Sequence, residues 1–206
     1  GSWLSRYFDR QLVEHFLRIE LLVGLIGGLM PAALFAAHSS LPVTGQPVFR
    51  VLLYGLVGLV GVLVGLEIPL VMRILKRQFA PRWALSELVS DVLTFDYLGA
   101  LAVALAFPLV LVPHLGLVRT GLFFGLLNAL VAVWALWMFR ADLRRWGAHA
   151  AACAGVIAVL LVAYSQAEHL TTWAEDRFYG EHIVLRESSA YQRVVVTAGP
   201  AGVRLF

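Results

Sequence analysis

Three carboxylates interrupt segments of the sequence that are otherwise apolar. Glu20 lies at the start of one segment, Glu67 lies near the end of a second, and Asp96 lies near the start of a third. An ionisable side chain in an apolar helix is costly unless it faces a partner or a cavity, so each is a functional candidate. Three acids near one end of a helix bundle are suited to binding a cation or relaying protons.

Each carboxylate also has a simpler interpretation. Glu20 and Asp96 are placed where helix N-termini would meet lipid headgroups, and a helix N-terminus favours negative charge. Glu67 is about 9 Å inside its segment at the ~1.5 Å rise per helical residue, and Arg18 or Arg73 are candidate partners for a structural ion pair. These alternatives stay open at the level of the sequence.

Two further polar residues lie in or beside apolar segments. Asn128 is expected to make a hydrogen bond between helices, and Arg119 is expected to anchor a turn between two of them. The histidines are dispersed without the spacing of metal ligands, so no metal site is predicted. No catalytic residue is predicted either, because the common phosphate-binding and hydrolase motifs are absent from the sequence.

The elements that position these residues follow from composition. The chain has 206 residues, 60% hydrophobic and 14% charged, whereas soluble domains carry about 25% charged residues. The basic residues flank apolar runs, which favours a topological role over nucleic-acid binding. The predicted fold is an all-α polytopic membrane helix bundle over 1–166, in which five segments reach the ~20 residues needed to cross a bilayer. These are about 19–37, 48–72, 93–118, 120–139 and 147–165.

Glycine recurs at helical spacing in the first two segments. Gly24 and Gly28 form one small-residue face, and a second face combines Gly55, Gly58, Gly61 and Gly65. Small residues allow helix backbones to approach closely. Both faces are therefore predicted to be packing surfaces between helices.

The distribution of Lys and Arg predicts the orientation of the bundle. Basic residues concentrate before the first segment and between the second and third and the fourth and fifth segments, so these parts are expected in the cytoplasm. Five crossings then place the tail outside. Residues 167–182 are predicted to form an amphipathic linker, and 183–206 have the alternation of β-strands.

Three stretches together resemble a known family: "GLEIPLVMRIL", the segment from "VSDVLTFDYLGAL" to "FFGLLNALVA", and "SSAYQRVVVT". They are similar to membrane-bound bacterial polyamine aminopropyltransferases, also called spermidine synthases, over nearly the whole chain. The resemblance implies a multi-pass protein of the bacterial inner membrane. In that family a helical membrane domain precedes a Rossmann-like synthase domain, of which 183–206 would be the truncated start.

The resemblance also implies chemistry. The family transfers an aminopropyl group from decarboxylated S-adenosylmethionine, a co-substrate, to putrescine. By resemblance, Tyr191 and Gln192 would bind substrate, and Gln192 would help to hold the nucleoside donor. The catalytic residues would follow Phe206, and two more helices would precede Gly1. The 206-residue chain alone is then expected to be inactive.

The expected partners are the lipid bilayer, a polyamine such as putrescine or spermidine, and a second copy of the chain; nucleic acid is not expected. Glu20, Glu67 and Asp96 would complement a polyamine electrostatically. The alternative is a polyamine or cation transporter, or an anchoring and oligomerisation protein without catalysis. A cytoplasmic nucleoside donor requires a cytoplasmic tail, which conflicts with the orientation predicted from charge.

Overall fold

The structure is a computed structural model that describes residues 3–7, 11–41, 45–79, 85–179, 182–188, 193–199 and 202–205. Long helices dominate these residues, and a small sheet follows them. The helices are α1 (Leu12–Ser40), α2 (Gln46–Phe79), α3 (Leu85–Ala106), α4 (Val112–Met138) and α5 (Trp146–Tyr179). A π-helical turn, Phe107–Leu111, joins α3 to α4 without a loop.

Within the described residues, four helices are long and apolar enough to cross a membrane, rather than the five predicted. The difference arises because residues 86–138 continue as one helical run through the predicted third and fourth segments. The run bends at Gly116, whose φ of 76° and ψ of 168° are not helical. Glycine tolerates this conformation because it lacks a Cβ. The break lies three residues before Arg119, where the sequence predicted a turn.

Despite this continuity, α3 and α4 travel in opposite directions. Asp96 in the middle of α3 interacts electrostatically with Glu67 of α2, which in turn interacts with Glu20 in the first third of α1. Gly116 shares a cavity with His38 near the end of α1. From there α4 returns antiparallel to α1, with Gly121 against Pro31 and Asn128 against Gly24.

The closest packing in the bundle joins the glycines of α1 to those of α4. A methyl group on Gly24 would lie 2.8 Å from the carbonyl oxygen of Gly125, and one on Gly28 would lie 3.1 Å from the Gly125 Cα. Real Cβ atoms essentially never approach another atom as closely as 2.8 Å, so the helix crossing requires glycine at Gly24, and a Cβ at Gly28 would require its neighbours to shift by a few tenths of an ångström. The predicted packing face of Gly24 and Gly28 is present.

The second glycine face behaves differently. Cβ atoms added at Gly55, Gly58 and Gly61 would meet nothing within 4 Å, so these three glycines contact no other helix within the described chain. Packing of this face against another copy of the chain stays a prediction. Neighbouring apolar side chains such as Val51 and Tyr54 are 74% and 70% exposed. Only 6% of the most apolar window of α2 is buried, against 33% for α1, so α2 presents a large apolar surface.

Two clusters of buried apolar residues form the interior. One lies between α1, α2 and α4, where Leu17, Leu70 and Ala132 are fully buried. The other lies between α1, α4 and α5 around Leu122 and Leu160. The bundle core therefore centres on α1, which contacts α2, α4 and α5.

The amphipathic segment predicted after residue 166 continues α5 without a break as far as Tyr179. Three strands follow, β1 (His182–Ser188), β2 (Arg193–Gly199) and β3 (Gly202–Leu205), which form an antiparallel sheet in sequence order. Gly202 has a φ of 109° at the tight connection from β2 to β3, a conformation that favours glycine. β1 contacts α5, so the sheet adjoins the C-terminal end of that helix.

Candidate functional site

The three predicted carboxylates lie in a row across α1, α2 and α3. Glu20 interacts electrostatically with Glu67, and Glu67 with Asp96. Burial decreases along the row: Glu20 is 6% exposed, Glu67 is partly buried, and Asp96 is exposed on the surface of the chain. We call these three residues the acid row. Its outer end is open at Asp96, and its inner end lies in the core.

The Glu67 side chain is directed into the bundle. Its neighbours on α2, Leu66 and Leu70, are 4% and 0% exposed, and its Oε1 is a buried atom with no hydrogen-bond partner among the described residues. A buried acceptor without a partner costs about 1–3 kcal/mol. The predicted inward orientation is therefore observed, together with an unmet demand for a donor or a cation.

Neither predicted arginine pairs with Glu67. Arg18 lies 3.5 Å from Glu14, and Arg73 donates a hydrogen bond to the Ser5 carbonyl oxygen at 2.8 Å. The structural ion pair that the sequence allowed for Glu67 is absent from the described residues.

Glu14 provides an internal comparison with the acid row. Its carboxylate is almost buried, and it has two cationic or ionisable partners, Arg18 at 3.5 Å and His149 of α5 at 3.7 Å. Glu20, six residues later in the same helix, forms no ion pair or hydrogen bond within the described chain. A group of opposite charge lies beside the buried carboxyl group of Glu14, whereas none lies beside that of Glu20 within the described residues.

The basic connections meet at the same end of the bundle as the acid row. Gln78 at the end of α2 donates a hydrogen bond to Asp142 after α4 at 3.0 Å, Arg73 contacts Ser5, and Glu14 contacts His149. The three segments that charge counting assigned to one side thus lie together. We call this the basic end.

A cavity of about 510 Å³ lies at the other end, between the end of α1, the Gly116 bend and α5. Ligand pockets have volumes of roughly 300–1,000 Å³. Its polar lining includes Arg119, Glu168 and Glu175, and its apolar lining includes Pro31 and Phe35. Glu175 is 4% exposed. We call this space, which is lined by α1, the Gly116 bend and α5, the α5 cavity.

Arg119, which was predicted to anchor a turn, lies within α4 three residues after the Gly116 bend and contacts α5. Its guanidinium Nη2 lies 3.0 Å from Glu168 Oε2, and the guanidinium carbon lies 5.9 Å from the Tyr164 ring centroid. The Arg119 charge is therefore already matched by one carboxylate. Glu175 is the second carboxylate of the cavity lining.

The other predicted residues do not join either site. Asn128 makes no hydrogen bond within the described residues; its Cβ instead packs beside Gly24 at the crossing of α1 and α4. Tyr191 and Gln192, the nucleoside-binding residues implied by the resemblance, lie outside the described residues. Their role stays a prediction.

The sequence contained a signal for the α5 cavity that was missed. Four polar residues of α5 follow the i, i+3, i+4, i+7 spacing of a single helix face: Glu168, Thr171, Thr172 and Glu175. This spacing places them in one stripe, and all four line the cavity. The stripe was treated as the polar face of an interfacial helix because nothing in the sequence showed that α1 and α4 close over it.

These features define the class of the chain as a bundle of long apolar helices with ionisable groups concentrated at both ends. Over its whole length the chain is 53% identical to a protein named polyamine aminopropyltransferase 2 from Ralstonia nicotianae. It is 39% identical to the polyamine aminopropyltransferase of Leptospira interrogans and 34% identical, over 93% of the chain, to that of Mycobacterium tuberculosis.

The chain is thus homologous to polyamine aminopropyltransferases, which supports the family that the sequence resembles. It spans 40% of the length of the Ralstonia and Leptospira relatives and 37% of the Mycobacterium relative. No protein-family model matches the chain. No solved structure matches it.

Proposed function

We propose that the chain is the helical membrane domain of a bacterial polyamine aminopropyltransferase, with its strands forming the start of the synthase domain. The observation that carries this proposal is the 53% identity over the whole chain to a protein of that name. The parent protein would transfer an aminopropyl group from decarboxylated S-adenosylmethionine to putrescine, giving spermidine and methylthioadenosine. The inner membrane of the cell is its proposed location.

The apolar surface of the helices supports the membrane assignment. The most apolar windows of the four long helices have a mean hydropathy between 1.9 and 2.3, and at most a third of any window is buried within the chain. Such extended apolar surface is unfavourable in water. Lipid, a partner helix or both would cover it.

Within this domain, the acid row is proposed to bind the cationic amine that the enzyme consumes or produces. The burial of Glu20 without an opposite charge beside it and the unpartnered Glu67 Oε1 favour a cationic ligand over a structural ion pair. Because Asp96 is exposed, a cationic ligand can reach the acid row from that end. An aliphatic polyamine supplies several ammonium groups, of which each terminal one donates three hydrogen bonds.

Two assays test the two parts of the proposal. The native polypeptide, isolated from its own membrane with an antibody against this chain, is expected to release methylthioadenosine from decarboxylated S-adenosylmethionine only when putrescine is present. Putrescine-independent release, or none, would contradict the enzymatic assignment. The assay tests the whole native protein and does not depend on the acid row.

The acid row is tested by spermidine binding to the purified 206-residue chain in detergent. Glu67→Gln is expected to weaken binding about tenfold or more, because a charged hydrogen bond contributes about 1.5–3 kcal/mol. Asp91→Asn, an equivalent change at an exposed carboxylate of α3, is the matched control and should bind as the unmodified chain does. Equal affinity in both variants would remove the acid row from the proposal.

A further inference from the structure

Helix α3 stands apart from the rest of the bundle over most of its length. Residues 94–105 are all exposed, and they cover more than three turns at 3.6 residues per turn, so every side of the helix is uncovered there. In α1, by contrast, 33% of the most apolar window is buried. Within the described residues, this part of α3 therefore lacks a buried face.

The first part of α3 keeps a narrow contact with α2. Its partly buried residues are Leu88, Val89, Val92 and Leu93. Residues four apart in a helix lie on the same face, so Asp96 continues the face of Val92. This face ends at the acid row, where Asp96 interacts electrostatically with Glu67 of α2. One short contact thus holds α3 against the bundle.

The connection from α3 to α4 collects residues that weaken a helix. Pro108 lies in the π-helical turn, and Pro113 lies in the first turn of α4. A proline has no N–H group, so each removes one donor from the helical hydrogen bonds. Gly116 then leaves the helical conformation, with a φ of 76° and a ψ of 168°. A hinge needs a few residues that can absorb changes in backbone angles, and this connection provides them.

A small rotation at Gly116 moves Asp96 by a large distance. The two residues are 20 positions apart in sequence, roughly 30 Å along the helical run at ~1.5 Å per residue. A rotation of about 10° at the bend therefore displaces Asp96 by about 5 Å over this length. Such a displacement separates Asp96 from Glu67 and widens the space between α2 and α3.

We propose that α3 is a hinged arm that pivots at Gly116, and that this pivot opens and closes the approach to Glu67 between α2 and α3. In the observed position α3 lies against α2 and closes this side of the acid row. When α3 swings outward, Glu67 becomes reachable from the side of the bundle. The pivot does not depend on what the acid row binds, whereas its role as a gate rests on the proposed function.

Distances between spin labels test the pivot. In a chain carrying Cys153→Ala, Val62→Cys with Leu101→Cys reports the distance from α2 to α3, and Val62→Cys with Leu161→Cys reports the distance from α2 to α5 as the control. All three native side chains are exposed. Double electron–electron resonance of the purified chain in lipid nanodiscs is expected to give a distribution about twice as wide for the first pair as for the second. Equal widths would overturn the inference.

Two alanine substitutions locate the hinge. A side chain is strained at the φ of Gly116, so Gly116→Ala favours a straighter helical run, whereas a Cβ at Gly99 would meet nothing within 4 Å. Gly116→Ala is expected to lengthen the mean distance from α2 to α3 by about 5 Å or more. An unchanged distance from α2 to α5 shows that the remaining bundle is folded. The same α2–α3 distribution in Gly116→Ala and Gly99→Ala would mean that Gly116 is not the hinge.

Alkylation of Glu67→Cys by N-ethylmaleimide tests the role as a gate. In a chain that also carries Cys153→Ala, Gly116→Ala is expected to raise the rate severalfold relative to Gly99→Ala, because α3 leaves α2. An unchanged rate would show that α3 does not control access to Glu67. Neither measurement uses a ligand, so a failure of spermidine to bind the acid row would contradict the proposed function and leave the pivot intact.

Discussion

At the scale of single residues, two carboxylates of α1 have similar burial and opposite surroundings. Glu14 and Glu20 are each 6% exposed. Arg18 and His149 lie beside Glu14, whereas Glu20 faces the negative charge of Glu67. The same chemical group thus has partners of opposite charge at one position and a second carboxyl group beside it at the other.

This contrast predicts effects of opposite sign for one substitution. Glu14→Gln is expected to destabilise the bundle by about 1–2 kcal/mol, because Arg18 and His149 lose a charged partner. Glu20→Gln is expected to stabilise it by about 1 kcal/mol, because a buried charge without an opposite partner is removed.

Denaturation of the purified chain in detergent, followed by circular dichroism, measures both changes. Since the two variants alter the same helix in the same way, each is the control for the other. A loss of stability in Glu20→Gln comparable to that in Glu14→Gln would mean that the Glu20 carboxylate has a stabilising partner.

At the scale of elements, glycines on two helices have different surroundings despite similar spacing. Gly24 and Gly28 of α1 lie against Gly121 and Gly125 of α4, whereas Gly58 of α2 faces open space. Spacing predicted a packing face on both helices. Only the position of the neighbouring helix decides which face is used within the chain.

Alanine substitutions separate the two faces. Gly125→Ala is expected to destabilise the bundle by about 1–3 kcal/mol, because the new methyl group would collide with the Gly24 carbonyl oxygen and force the helices apart. Gly58→Ala is expected to be neutral or stabilising by up to about 1 kcal/mol through helix propensity. Thermal unfolding in detergent measures the difference between the variants.

An equal loss of stability at Gly58 would contradict the open environment of this face. It would indicate that α2 packs through its glycines against a second copy of the chain. Cross-linking of the unmodified chain and of Gly58→Ala would then show the same dimer weakened by the substitution.

At the scale of the whole molecule, the basic end and the sheet lie at opposite ends of the bundle. His149 near the start of α5 pairs with Glu14 at the basic end, and Glu175 near the end of α5 lies at the cavity beside His38. The sheet follows α5. In a membrane-spanning bundle these two ends face different compartments.

Labelling with a membrane-impermeant maleimide tests this arrangement. In a chain carrying Cys153→Ala, Arg144→Cys marks the basic end and Val184→Cys marks β1, where the native side chain is 61% exposed. In bacterial spheroplasts only one of the two cysteines is expected to react, and both should react after permeabilisation. Reaction of both in intact spheroplasts would contradict the opposite placement.

The identity of the reactive cysteine also resolves the conflict in orientation. Charge counting predicts that Val184→Cys reacts from outside. A synthase domain that uses a cytoplasmic nucleoside donor requires that Arg144→Cys reacts instead. The second result would place the basic connections outside, against the usual distribution of Lys and Arg.

The sequence by itself determined the helical class, the α1 glycine face and the inward orientation of Glu67. These depend on composition and helical periodicity, which are local properties of the chain. The prediction that the third and fourth segments are separate helices was wrong, because Gly116 bends a continuous helical run instead of ending it. The role of Arg119 was only partly predicted, since its partner Glu168 is 49 residues away.

Only the tertiary structure decided which ionisable groups have partners. The sequence offered Arg18 and Arg73 as partners for Glu67, yet the arginines turn to Glu14 and to Ser5. The polar stripe of α5 became a cavity lining because α1 and the Gly116 bend close over it. The physical reason is that periodicity fixes which face of a helix a residue occupies, while the helix opposite that face is set by packing between segments distant in sequence.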